Sequence, residues 1–277
     1  MTLFHVSKNT FSSILRSRTF WLLFSILIII VFSNAFSESY SGDLEPDYVL
    51  SYKDYVQLTM NICSSLLMYA FPLLAIITTV LVLYRDHGDH FFEIEKASGL
   101  HSVAYVLGRV FALILINVVL TLLYAFLDIF LYLISRGGVE GMETGEIIIE
   151  TIIRILRNEL FIVVPAVLWY IGITYLVGSL FKNGTISATV SIGYVIFHYV
   201  SYLMFRHRIA ETYFDYFSHM PYKLRHYFHY YNTEWFEETL SMLGTTLTDA
   251  ILCLLFLAGS SILCIGISCL VTFKRTI

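Results

Sequence analysis

The residues of this chain best suited to chemistry lie in one stretch. Tyr84 to Arg109 reads YRDHGDHFFEIEKASGLHSVAYVLGR, with Asp86, Asp89, Glu93, Glu95 and Lys96 interleaved with Phe91, Phe92 and Ile94. A connector between apolar runs needs only a few polar residues. A short helix carrying both charge and aromatic rings suits docking into a partner's groove. Asp89, Phe91, Phe92, Glu93, Glu95 and Lys96 are therefore the expected contact residues, and Gly99 is expected to redirect the chain afterwards.

Other chemically capable residues have no diagnostic spacing. His219, His226 and His229 with Asp215 could be read as metal ligands, but no spacing among them is diagnostic, and packing at a membrane boundary is the default. Asp128 and Asp249 fall near the ends of apolar runs, where a carboxylate costs far less than at mid-bilayer. Neither stands in a Tyr-Asp or Gly-x-Gly-Asp setting, and no His-Glu-x-x-His or Gly-x-Ser-x-Gly occurs. Asn117 and His198 lie deeper and are expected to hydrogen-bond between helices. Cys63, Cys253, Cys264 and Cys269 all fall in apolar runs and read as small buried hydrophobes rather than a disulfide framework.

The elements that must position these residues are membrane spans. Of 277 residues, 57% are hydrophobic and 14% charged, with a mean hydropathy of +0.74. Soluble domains carry about 45–50% apolar and about 25% charged residues. The formal net charge of −4 gives no reason to expect nucleic acid. Six apolar runs approach the ~20 residues that a helix needs to cross a bilayer: Thr19–Phe36, Tyr55–Tyr84, Val110–Ile134, Leu160–Phe181, Thr185–Phe205 and Ala250–Phe273. Long unbroken runs imply helices rather than barrel strands, so the expected fold is an all-α membrane protein forming a single transmembrane domain over residues 1–277. Pro72 and Pro165 are expected to bend spans 2 and 4. Ser33-Asn34-Ala35 imitates a cleavage site, but the long amphipathic segment before it favours a retained first span.

Basic residues set the orientation. Lys8, Arg16, Arg18, Arg85, Lys96, Arg109, Lys182, Lys274 and Arg275 occupy shorter segments than the basic residues on the opposite side, which places both termini in the cytoplasm. Residues 1–18 read as an interfacial helix with Phe4, Phe11, Ile14 and Leu15 near one face. Ile147, Ile148, Thr151, Ile152, Ile155 and Leu156 share a face of a short outer helix. Residues 206–248 form an outer loop rich in aromatics, which favour the membrane–water boundary.

Two stretches carry a resemblance. Arg85-Asp86, Gly88, Glu93 to Glu95, Ala97-Ser98-Gly99 and Leu107-Gly108-Arg109 resemble the first cytoplasmic loop of type-2 permeases of ATP-binding-cassette (ABC) exporters, with Gly99-Leu100-His101-Ser102 in place of that family's usual proline. GSLFKNGTISATV, Gly178 to Val190, resembles the family's turn into span 5. The resemblance implies that loop 85–102 is a coupling helix seated in a cytoplasmic ABC ATPase. It implies a second permease copy or relative, and a substrate path near Met68, Phe71, Phe197 and Tyr202. The chain has no Gly-x4-Gly-Lys-Ser/Thr, so ATP and Mg would be held by the separate ATPase, and the chain itself is not expected to be an enzyme or to carry a cofactor. Export of an amphipathic peptide, antibiotic or other hydrophobic compound across the plasma membrane is the leading expectation. Lipid or glycan export, a secondary transporter and a non-transporting immunity protein remain as alternatives.

Overall fold

The computed structural model describes residues 3–40, 51, 52, 55, 71–85, 101–136, 139–158, 163–205 and 247–274. Every regular element longer than a single bridge among them is helical. In chain order they are α1 (Leu3–Leu15), α2 (Arg18–Tyr40), α3 (Phe71–Arg85), α4 (Ser102–Arg136), α5 (Thr144–Asn158), α6 (Val164–Phe181), α7 (Gly184–Phe205) and α8 (Leu247–Lys274).

Three helical segments among the described residues are long and apolar enough to cross a membrane: Val103–Leu131, Val164–Phe181 and Leu254–Thr272. The apolar segments Phe71–Arg85 and Gly184–His198 are shorter, and α1 joins the first part of α2 through a 65° bend. Trp21 fixes that bend by donating its Nε1 hydrogen to the Leu15 carbonyl at 2.7 Å, which satisfies an acceptor that the end of α1 leaves open.

The third span begins earlier than its apolar run suggests. The helix starts at Ser102 rather than near Val110, so Leu107-Gly108-Arg109 lies inside α4 and not ahead of it. The polar residues of this first turn are compatible with helix, and hydropathy alone does not register them. Pro165 also differs from expectation. It stands in the first turn of α6, where a missing N–H costs no hydrogen bond, and there it starts a helix instead of bending one.

The 35-residue α4 is the central strut. It packs against α1, α2, α5, α6 and α8. Leu113, Ile116, Leu120, Tyr124 and Ile129 of α4 join a core completed by Ala75 and Ile76 of α3, Trp169 and Ile171 of α6, and Leu257 and Ile265 of α8. Tyr124 reaches α2, its hydroxyl donating to the Phe24 carbonyl at 3.1 Å. Cys264 and Cys269 are free thiols on α8, and Cys269 is buried in the core.

Asn117 ties α4 to α3, as its depth in the apolar run led one to expect. Its Nδ2 donates to Thr78 Oγ1 at 3.0 Å and to the Leu113 carbonyl at 2.8 Å. Its Oδ1 is buried with no hydrogen-bond partner among the described residues. Replacing both the donor and this orphan acceptor by an apolar group of similar size should be nearly neutral, whereas stranding the amide should not. Thr78→Val is thus expected to lower stability by about 1 kcal/mol and Asn117→Leu by less than about half of that. Reversible unfolding of the purified protein in mixed micelles measures both.

Candidate functional site

Arg85 of α3 and Gly108-Arg109 of α4 both meet α1. That helix presents Val6, Ser7, Thr10 and Ile14 to the protein. The spacing is one, four and eight residues from Val6, which keeps all four on one side of a helix. Phe4 points away and is 74% exposed. The hydrophobic face expected from the sequence is thus only partly the docked face: Ile14 is buried, Phe11 and Leu15 pack at its margin, and Phe4 is outside it.

Gly108 permits the contact. A Cβ built there would lie 2.8 Å from Val6 Cβ and 3.0 Å from the Leu3 carbonyl oxygen, closer than real side chains approach. With no side chain in the way, Ser7 Oγ reaches the Gly108 carbonyl at 2.9 Å. Arg109, next in sequence, is 2% exposed. Its Nη1 donates to Thr10 Oγ1 at 2.9 Å and its Nη2 to Tyr105 Oη at 3.2 Å. The guanidinium carbon also sits 4.9 Å from the Tyr105 ring centre. A buried cation needs such partners, and a stacked tyrosine ring adds attraction. From the end of α3, Arg85 Nη1 donates to Ser13 Oγ. One arginine from the end of α3 and one from the start of α4 therefore hold the same short helix.

The second stretch singled out by the sequence arrives at the same end of the bundle. Lys182 closes α6 in the left-handed region (φ 53°), its N–H bonding the Gly178 carbonyl. Asn183 then caps α7: its Oδ1 accepts from the N–H groups of Thr185 at 2.9 Å and Ile186 at 3.2 Å. These bonds satisfy donors that a helix start leaves open. The turn rests on the end of α3, Gly178 against Leu83 and Gly184 against Tyr84, where an added Cβ would meet Tyr84 Cβ at 3.4 Å. Arg85, Arg109 and the Lys182-Asn183 turn thus share one end of the molecule. Hydroxyls, guanidiniums and carbonyls in this arrangement hold helices in place; they make no nucleophile–base pair.

The remaining expected site residues are scattered. Asp89, Phe91, Phe92, Glu93, Glu95, Lys96 and Met68 lie outside the described residues, as do His219, His226, His229 and Asp215. Phe71 is buried in the core. Phe197 is exposed on α7. Tyr202 falls in the same helix, and Asp128 and Asp249 fall in α4 and α8, with their side chains outside the described set. No group of three His, Cys, Asp or Glu among the described residues could hold a metal ion.

Sequence reasoning singled out Arg85, Gly108 and Arg109 but missed Ser7, Thr10 and Tyr105. It also missed an inversion along α7. Ser187, Ser191, His198 and Ser201 are buried, with His198 against the Tyr194 ring at 4.1 Å. Ile186, Val190, Phe197 and Val200 are exposed. Both rows follow the four-and-three spacing of a helix face, so the signal was present as two interleaved stripes of opposite polarity. Ser187 Oγ donates across to the Thr174 carbonyl of α6 at 2.9 Å.

No protein-family model matches this chain, and no curated protein matches it.

The tight seat at Gly108 gives a sharp expectation. Gly108→Val should force α1 out of place and lower stability by about 1–3 kcal/mol, the usual range for overpacking. Gly193→Val, at a position with open space around the added carbon, should change little. Thermal unfolding in detergent, with tryptic cleavage near Lys8 and Arg16 as a reporter of α1 release, separates the two variants.

Proposed function

We propose that this chain is the permease subunit of an ABC exporter, a six-span protein of the plasma membrane with both termini in the cytoplasm. Residues 1–18 form its interfacial helix, 85–102 its coupling loop and 206–248 its aromatic outer loop. A separate ATPase binds ATP and Mg and docks on Asp89, Phe91, Phe92, Glu93, Glu95 and Lys96. A second permease copy or a relative completes the channel, and an amphipathic peptide, antibiotic or similar hydrophobic compound is exported.

The observation that carries this reading is that Arg85 and Arg109 both bond α1, while the Lys182-Asn183 turn packs against Leu83 and Tyr84 beside Arg85. The described parts of the two stretches that resemble the permease family are far apart in sequence and neighbours in space, with Tyr84 against Gly184, and this end of the bundle is where the proposed ATPase would act. Arg85, which precedes residues 86–100, and Arg109, which follows them within α4, both bond α1, and such anchoring supports a lever role. The polarity of α7 gives further support: its buried hydroxyls and exposed aliphatics suit a helix with lipid outside and a polar bundle inside. Phe197, on the exposed side of α7, would line a path only with a second subunit beside it. Met68, Phe71 and Tyr202 complete the proposed path.

Co-purification with candidate ABC ATPases and vanadate-sensitive ATP hydrolysis in proteoliposomes tests the proposal. The wild-type chain should stimulate hydrolysis, and Phe92→Ala with Glu93→Ala should abolish at least about nine-tenths of the stimulation, the loss of an aromatic anchor at the centre of an interface. Stimulation that survives this double substitution would remove loop 85–102 from the coupling role. Flux of a labelled amphipathic peptide panel into inverted vesicles tests the substrate class.

A further inference from the structure

The helix α5 follows α4 at the end opposite α1 and divides into three sectors. Successive residues of a helix advance by about 100°. Ile147, Thr151 and Ile155 form a buried sector. Tyr55 closes over it, its hydroxyl meeting Thr151 Oγ1 and lying 3.4 Å from the Ile147 carbonyl, with Val139 and Leu133 alongside. Glu146, Glu150 and Arg154 form a polar sector. There Arg154 Nη2 lies 2.8 Å from Glu150 Oε1 and donates to Tyr52 Oη at 2.7 Å. Between these two sectors Ile148, Ile149, Ile152, Ile153 and Leu156 are all exposed. They cover an arc of about 140° without a charge.

What covers this arc follows from α4. Phe111, Leu115, Val119, Leu123, Phe126 and Phe130 are exposed in one row along that helix, over a rise of about 28 Å, close to the ~30 Å of a bilayer's hydrocarbon core. From Gly108, where α1 is seated, to Leu133, beside α5, the rise is about 37 Å, which puts α1 and α5 near opposite headgroup layers of a ~40–45 Å membrane. The aliphatic arc of α5 therefore stands at the end of an acyl-facing row, and the charges of α5 are segregated as they are in helices that lie in a membrane surface.

We propose that α5 is a membrane-surface helix whose Ile148–Leu156 arc is embedded among lipid acyl chains, held at that depth by the Tyr52 and Tyr55 contacts. This inference rests on α4 crossing the bilayer, not on an ATPase partner. Full-length protein with its native cysteines replaced by serine is reconstituted in phosphatidylcholine vesicles. An environment-sensitive fluorophore is placed on Ile149→Cys, Ile153→Cys or Glu146→Cys, with Val119→Cys of the α4 row as the control. Acyl-chain nitroxide lipids should quench the labels at 149 and 153 at least about twofold more than the label at 146, and aqueous iodide should show the reverse order. If 119 is quenched by lipid while 149 and 153 are quenched chiefly by iodide, the proposal fails with the α4 reading intact. If 149 and 153 are shielded from both quenchers, a protein surface covers them and the proposal also fails. If 119 itself escapes the lipid quencher, the membrane placement of α4 falls, and the proposal falls with it.

Discussion

Contact with α4 is the constraint on which the rest of the fold depends. Among the other described helices, α1, α2, α5, α6 and α8 pack on it, and α3 is bonded to it through Asn117. The helix α7 packs on α6, and its Gly184 also touches Tyr84 of α3. A strut of this length serves several neighbours because its surface changes character along the axis. Gly108 and Arg109 at the start accept α1, Asn117 reaches α3 in the middle, Tyr124 reaches α2 further on, and Leu133 supports α5 near the end. The apolar core between these points is generic by comparison, since Leu, Ile and Val fit many helix pairings. The polar and small residues are what restrict each neighbour to one place.

Polar side chains inside the bundle follow a second rule. Thr10, Thr78, Thr79, Ser261 and Ser268 each donate to a carbonyl four residues earlier in their own helix. Such bonds keep hydroxyls satisfied without fixing a partner helix. Bonds that cross between helices are therefore the informative ones, and they concentrate where α1 meets α4. There Thr10 Oγ1 accepts from Arg109 while its hydrogen is committed to Val6, so both capacities of the hydroxyl are used.

How much of this was legible in the sequence depends on the element. The apolar runs located α2, α6, α7 and α8 closely, because backbone satisfaction in lipid demands long uninterrupted helices. The Lys182-Asn183 break was legible because a polar residue pair between two apolar runs has few alternatives to a turn. The start of α4 was not, since helix continues through residues whose polarity hydropathy counts against a span. Faces were read less well than elements. For α5 the grouping of Ile147, Ile148, Thr151, Ile152, Ile155 and Leu156 identified one apolar arc correctly, yet only Ile147, Thr151 and Ile155 are covered by protein. Periodicity reports where apolar residues lie, not whether protein or lipid covers them. The same ambiguity grouped the exposed Phe4 with the buried Ile14 on α1 and concealed the buried polar row of α7.

The clamp around α1 bears on how force could pass through the proposed coupling loop. A loop hinged at its ends absorbs a push by swinging, and little reaches the helices behind it. Here Arg85 at the end of α3 and Arg109, about two turns into α4, are bonded to a common third body, Arg85 to Ser13 and Arg109 to Thr10. The turn between α6 and α7 is packed against Tyr84 from the other side. Movement of α1 away from α4 would require breaking the contacts of the buried Arg109 guanidinium, which costs more than moving packed helices together by small amounts. Under the proposed coupling, a push on residues 86–100 would reach α1, α3 and α4 together, and α7 through the contact of Gly184 with Tyr84. That helix carries the buried His198, Ser187, Ser191 and Ser201, so a polar face inside the bundle is among what such a push would move.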